Sequence, residues 1–208
     1  MSGPSLIETL RWEPETGFVR LPLHLARLEN SSRQLGLPGA EKAQAALENS
    51  ACGTAPLRVR LELFADGRIE VVTAPFTALP EETVWRVAIA SVRLSSTDPL
   101  LRHKTSSREI YEAARREFSR EEVDEVLLMN ERNELCEGTI TSLFIRTGDD
   151  RLATPPLSCG LLAGVLRTQL ICQKKTTIRK LALSDLSEGE FVLGNSLRGL
   201  IRCRLVQS

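Results

Sequence analysis

The sequence predicts an α+β protein of two domains, and three observations carry that expectation. The first half alternates strand-like runs with helix-spaced leucines, a polar, proline-bearing stretch follows at residues 77–83, and the second half is mostly strand-like with few helices. Residues 1–78 are thus expected to form a small α/β N-terminal domain and residues 84–208 a larger, mainly β domain, with 77–83 as the linker. A chain of 208 residues can bury enough apolar surface for one large domain or two small ones.

The elements follow in order. "SLIETLRWEPETGFVRL" reads as two strands around a turn punctuated by Pro14 and Gly17. "PLHLARLENSSRQLGLP" sets Leu21, Leu25, Leu28 and Leu35 near helical spacing, with Gly36 and Pro38 closing the pattern. A second helix is expected over residues 41–50, then two alternating strands joined at Ala65, Asp66 and Gly67. Beyond the linker come the strand "WRVAIASVRL", a helix at 108–118, and strands near 125–129, 140–146 and 151–154. A helix at 165–172 and strands near 177–182, 190–194 and 200–206 finish the chain.

Lysine plus arginine equals aspartate plus glutamate, 27 each, so no global field recommends nucleic acid or an acidic membrane as partner. A small-molecule role stays open. The five cysteines are an odd number without a CxxC pair, which fits neither a disulfide framework nor a zinc site, and they read as reduced, packed thiols. No run approaches the ~20 apolar residues of a membrane-spanning helix, and "MSGPSLIETL" lacks the regions of a signal peptide. A cytoplasmic location is the expectation.

Histidine offers little chemistry. His24 lies in a helical pattern, expected at the surface or half-buried, and His103 stands alone, so a hydrolytic triad is not indicated. Lys104 precedes a helix and follows the apolar run Pro99, Leu100 and Leu101; carried inward, its amine would become a usable nucleophile and base, whereas the plain alternative is an exposed lysine. Glu137 raises the same choice, a solvated turn residue or a placed carboxylate. After it, "GTITSLF" alternates in strand fashion and "GLLAGVLR" puts Gly164 at a helix entrance, where the amides of Val165 and Leu166 would suit an anion such as phosphate.

Taken in order, "LIETLR", "LHLARLENSSRQLGL", "HKTSSREIYEAAR", "VDEVLLMNERNELCEGTITSLF", "LATPPLSCGLLAGVLR" and "EFVLGNSLRGLIR" resemble the class IV aminotransferases, the pyridoxal-phosphate enzymes of fold type IV. The "GNSLRGL" and "HKTSSREIY" blocks are most similar to aminodeoxychorismate lyase-like members. The resemblance implies the two-domain, D-amino-acid aminotransferase-like fold and pyridoxal 5'-phosphate as cofactor. It implies that Lys104 is the Schiff-base lysine, that Glu137 stands beside the pyridine nitrogen, and that Arg27 clamps the phosphate. Val165 and Leu166 would complete the phosphate cup, with Asn195 or Ser196 as a side-chain donor; Tyr111 is a further candidate, for the core or the site. Ser142 replaces the family's usual asparagine, Ala163 replaces a common proline, and the chain starts almost at "LIETLR", where family members normally carry a further strand.

Within the family, D-amino-acid enzymes trap the substrate carboxylate with an arginine and a histidine on a small-domain loop, for which "LELFADGRIEV" leaves no room. Branched-chain enzymes show a Gly-Gly-Asn-Tyr-like run after the lysine, where this chain has "KTSSREIY". The resemblance therefore points first to a lyase making 4-aminobenzoate and pyruvate from 4-amino-4-deoxychorismate, in folate biosynthesis. Second comes an aminotransferase of small branched-chain or D-amino acids, and third a degraded member kept as a binding or partner protein. The implied partners are a small substrate bearing an amine and a carboxylate and, from the family, a second copy of the chain as a homodimer.

Overall fold

The computed structural model describes residues 3–147, 151–188 and 191–206, without the side chains of residues 187 and 188. The chain divides into two compact units. One is the chain up to Ala78 together with His103–Ser107, and the other is Leu79–Arg102 with the chain from Arg108 on.

In the N-terminal unit, β1 (Leu6–Glu13) and β2 (Gly17–Phe18) make the expected hairpin. α1 (Leu21–Leu35) has a proline in its first turn and ends at Gly36, whose φ of 70° is a left-handed cap that glycine adopts without strain. A 3-10 turn at Ala40–Lys42 leads into α2 (Ala43–Ser50), then β3 (Leu57–Leu63) and β4 (Ile69–Pro75). The antiparallel sheet has the order β2-β1-β3-β4. Between β3 and β4 the chain reverses within Phe64–Arg68, with Gly67 at φ 83° and its N–H donating to Phe64 O at 3.0 Å. Alternation on β1 sends Leu6 and Leu10 into a core shared with Leu28, Leu47, Val59, Leu61 and Leu63. Glu8 occupies the same phase as those two leucines and is also buried.

The C-terminal unit opens with β5 (Val84–Leu94) and a 3-10 turn at Pro99–Arg102, followed by α3 (Glu109–Arg116), β6 (Glu125–Asn130), β7 (Leu135–Gly138), β8 (Ser142–Arg146) and β9 (Leu152–Thr154). α4 (Val165–Cys172), β10 (Thr176–Ile178), α5 (Leu183–Glu188), β11 (Phe191–Asn195) and β12 (Gly199–Leu205) complete it. The sheet order is β10-β9-β8-β11-β12-β5-β6-β7, and one further pairing, Glu137 with Ser142, joins β7 back to β8. That rung closes the strands from β8 round to β7 into a barrel, with β9 and β10 as an extension. β6 is buried at every position, as a strand covered on both faces must be.

Three sequence expectations change here. β7 and α5 were not anticipated, and the strand expected at 177–182 ends at Ile178. The strand expected at 190–194 begins on a residue outside the described ones. Among the described residues no helix is long and apolar enough to cross a membrane.

Candidate active site

Two buried carboxylates frame the turn after β7. Glu125, at the start of β6, accepts from the Thr139 N–H (3.2 Å) and hydroxyl (2.6 Å) with Oε1, and from the Ile140 N–H (3.2 Å) and Thr141 hydroxyl (3.0 Å) with Oε2. These neutral donors staple the turn. A side chain at Gly138 would collide with Thr141 Oγ1 and with Glu125, so only glycine lets β7 pass so close. Sequence reading missed Glu125; a carboxylate opening an apolar strand, "EVLLM", was the available signal.

Glu137 is the second carboxylate, 5% exposed. Its Oε1 accepts from Tyr111 Oη at 2.7 Å and from the Leu162 N–H at 3.1 Å. Tyr111 and Glu137, named separately from the sequence, thus meet. Burial first, and the adjacent Glu137 charge second, push the Tyr111 hydroxyl far above its ordinary range, so it is a fixed donor and not a base. Arg108 stacks over the Tyr111 ring, 4.9 Å from its centroid, and donates to Thr139 O at 2.5 Å.

At the α4 entrance Gly164 is the N-cap and supplies no side-chain cap, and the first turn carries no acid. Its first amides have no intrahelical acceptor, so Val165 and Leu166 head a helix end that suits an anion. A Cβ at Gly164 would lie 2.5 Å from Ser142 Oγ, so the serine that replaces the family asparagine fills the space beside the cap. Arg167, in the same turn, is 3% exposed; its Nη2 donates to Pro155 O at 2.8 Å, and among the described residues its Nε has no hydrogen-bond partner. In the β11–β12 turn, Asn195 donates to Ile140 O at 3.2 Å and accepts from the Arg198 N–H at 2.9 Å, while Ser196 is buried. The Asn195 carboxamide therefore ties this turn to the one after β7.

In the N-terminal unit, Lys104 lies on a short segment that runs beside β1. Its carbonyl accepts from the Ile7 N–H at 2.7 Å, Thr105 bridges Leu6, and the Ser106 N–H donates to Ser5 O at 3.0 Å. Its side chain is half-buried. His103 next to it is buried, with Nδ1 2.9 Å from Ser31 Oγ. Arg27, on α1, gives its fork to Glu8: Nε to Oε1 at 2.8 Å and Nη2 to Oε2 at 2.6 Å.

His24 completes that cluster and corrects the surface expectation. It is 1% exposed, with Nδ1 2.6 Å from Glu8 Oε2. Burial would raise the Glu8 carboxyl, but Arg27 and then His24 outweigh it and hold it at about 2. Burial lowers His24 below its ordinary value, while the hydrogen bond and charge of Glu8 act in the opposite sense. Glu8 could have been found from its phase between Leu6 and Leu10. The expectation of packed thiols also needs correction, because Cys52 and Cys172 are exposed while Cys136 and Cys159 are buried.

Residues 5–206 match the family described as "Amino-transferase class IV". No curated protein matches the chain. Among solved structures, a candidate amino-acid aminotransferase from Mesorhizobium loti is 43% identical with a TM-score of 0.91, over 98% of this chain and 100% of that one. A candidate branched-chain amino acid aminotransferase from Thermotoga maritima is 26% identical with a TM-score of 0.81, over 97% of this chain and 77% of that one. The 4-amino-4-deoxychorismate lyase from Pseudomonas aeruginosa is 24% identical with a TM-score of 0.81, over 98% and 83%, a likeness of fold. With nearly its whole length matched, the chain belongs to the class IV aminotransferases and is a pyridoxal-phosphate-dependent enzyme.

Proposed function

We propose that the protein is a lyase that converts 4-amino-4-deoxychorismate to 4-aminobenzoate and pyruvate. The observation that carries this choice within the family is the β3–β4 connection, which reverses within Phe64–Arg68 and leaves no loop on which a carboxylate-trapping arginine and histidine could stand. A second reading, an aminotransferase of small amino acids, is favoured by the 43% identity to the Mesorhizobium loti protein.

The residues present fit the cofactor. A buried carboxylate that accepts from a phenol and a backbone amide suits a protonated ring nitrogen, and the uncapped α4 entrance suits a phosphate. When bound, pyridoxal phosphate supplies a ring that withdraws electrons from the substrate carbon next to nitrogen. In this reading Glu137 holds a proton on the ring nitrogen, and Tyr111 and the Leu162 amide keep that carboxylate oriented. In the C-terminal unit the amides of Val165 and Leu166 and the side chain of Ser196 would bind the phosphate, and Asn195 secures the turn that carries Ser196; in the N-terminal unit Arg27, the phosphate clamp that the family resemblance implies, gives its fork to Glu8. Lys104 would hold the cofactor through its amine and, once the substrate amine is in place, would serve as the base for the proton on the ring carbon bearing nitrogen. Overall, the bond from the ring carbon to the ether oxygen breaks, the enolpyruvate leaves with that oxygen, takes up a proton to become pyruvate, and the ring becomes aromatic. The substrate is small and carries an amine and carboxylates; a homodimer and a cytoplasmic location accompany the reading as family expectations.

The test is spectroscopic and then chemical. Purified protein with pyridoxal phosphate should show a long-wavelength band that borohydride fixes onto the Lys104 peptide, and pyruvate should appear from aminodeoxychorismate without an amino acceptor. Amino transfer between amino and keto acids without pyruvate would establish the second reading, and absence of the band would overturn both.

A further inference from the structure

Among the described residues of the C-terminal unit, the charged side chains that are fully buried are Glu125, Glu137 and Arg167. Two carboxylates and one guanidinium are buried in this unit, where an uncompensated charge is costly. Glu125 is satisfied by the neutral donors of the Thr139–Thr141 turn. Glu137 has the Tyr111 hydroxyl and the Leu162 amide on Oε1.

The chain from Leu162 to Arg167 runs past Glu137. The Leu162 N–H reaches its carboxylate, Glu137 is the ladder partner of Ser142, and a Cβ at Gly164 would lie 2.5 Å from Ser142 Oγ and 3.7 Å from Arg167 Cβ. The guanidinium is pinned at one end by Pro155 O, and its Nε has no partner among the described residues. Burial lowers Arg167 from its ordinary value and the Glu137 charge acts in the opposite sense, whereas no such influence of Glu125 is resolved. The other titratable groups of this unit around Glu137 are Tyr111 from α3 and Arg108 just before it, Cys136 beside it on β7, and Glu125 across Gly138.

We propose that Arg167 is a positioning residue that keeps the Glu137 carboxylate ionised by charge, through space and without a direct hydrogen bond. The proposal deepens the reading of Glu137 as the partner of the ring nitrogen and rests on it for its meaning in catalysis, but its physical content belongs to the protein without cofactor. An arginine serves here because it stays protonated when desolvated, where a lysine would more readily discharge.

The experiment uses the full chain free of cofactor, labelled with 13C at the glutamate carboxyl, with the Glu137 signal identified by its loss in Glu137→Gln. In the wild type that signal should be ionised and flat from pH 5 to 8. Arg167→Gln, which keeps a donor for Pro155 but removes the charge, should raise the Glu137 midpoint by at least about one pH unit, a tenfold change in proton affinity. Arg167→Lys should restore most of it at the acid end of the range. An unchanged midpoint in folded Arg167→Gln, or an equal shift in the glutamine and lysine variants, would overturn the proposal. Should Arg167→Gln fail to fold, the near-isosteric Glu137→Gln reports the reciprocal effect: the Arg167 Nε–H resonance should move and exchange faster, and an unmoved resonance is a refutation. Failure of pyridoxal phosphate to bind would remove the functional reading and leave these measurements standing.

Discussion

Glu8 in the N-terminal unit and Glu137 in the C-terminal unit are buried alike, 2% and 5% exposed, yet the hydrogen-bond donors they meet differ in kind. Glu8 meets a guanidinium fork head-on, with an imidazole beside it, so its charge is cancelled where it sits. Glu137 takes a phenol and a backbone amide on one oxygen, donors that orient a carboxylate without neutralising it. The lesson is that burial alone does not mark a functional acid. Neutral donors alone do not mark one either, because Glu125 is held by them and only staples the turn after β7.

The sharpest way to break that contrast is Glu137→Gln. It should lower turnover by about 100- to 10,000-fold, as assayed by pyruvate release. Glu8→Gln should show first as lost stability, about 3–5 kcal/mol in denaturant unfolding, because it removes the buried carboxylate that holds the Arg27 fork. Tyr111→Phe lies between, with a loss of about 1.5–3 kcal/mol from one hydrogen bond to a charged acceptor. Acid should separate the regions further. Glu8 has an ordinary value of 4.5 and about 2 when folded, so the unfolded chain binds more protons in that window; its contribution is complete above pH 4.5 and is lost as pH falls toward 2. His24, also lowered, adds a loss of the same sign beginning below its ordinary 6.5. A series of unfolding curves against pH, with Glu8→Gln flattened between 4.5 and 2, checks this. The smallest effect sharpens the picture of a dry β7. Cys52 and Cys172 should react promptly with a disulfide reagent, while Cys136, and Cys159 with its thiol pushed up by burial to about 11, should wait for denaturation.

The elements legible in the sequence were those with local punctuation. α1 runs from its Pro22 start to Gly36, and α4 begins after Gly164, because caps and periodicity act within a few residues. β7 escaped because "LCEG" has no pattern of its own and becomes a strand only through β6 and β8; α5 is a six-residue helix without a readable period. The same divide runs through the candidate site. Glu137, Val165 and Leu166 stand in a dense motif, whereas Glu8 and His24 make sense only as a pair brought together from a strand and a helix. Arg167 was passed over although it belongs to the same motif, since nothing in "GVLR" announces a side chain that turns inward.

In the barrel β12 lies between β11 and β5, antiparallel to one and parallel to the other. Synthesis therefore delivers the residues around Glu137 long before the wall that encloses them can exist. A ribosome must release residues 199–205 before the ring of strands can shut, so an emerging chain stalled short of that point carries every chemical group of this unit named above and none of their enclosure.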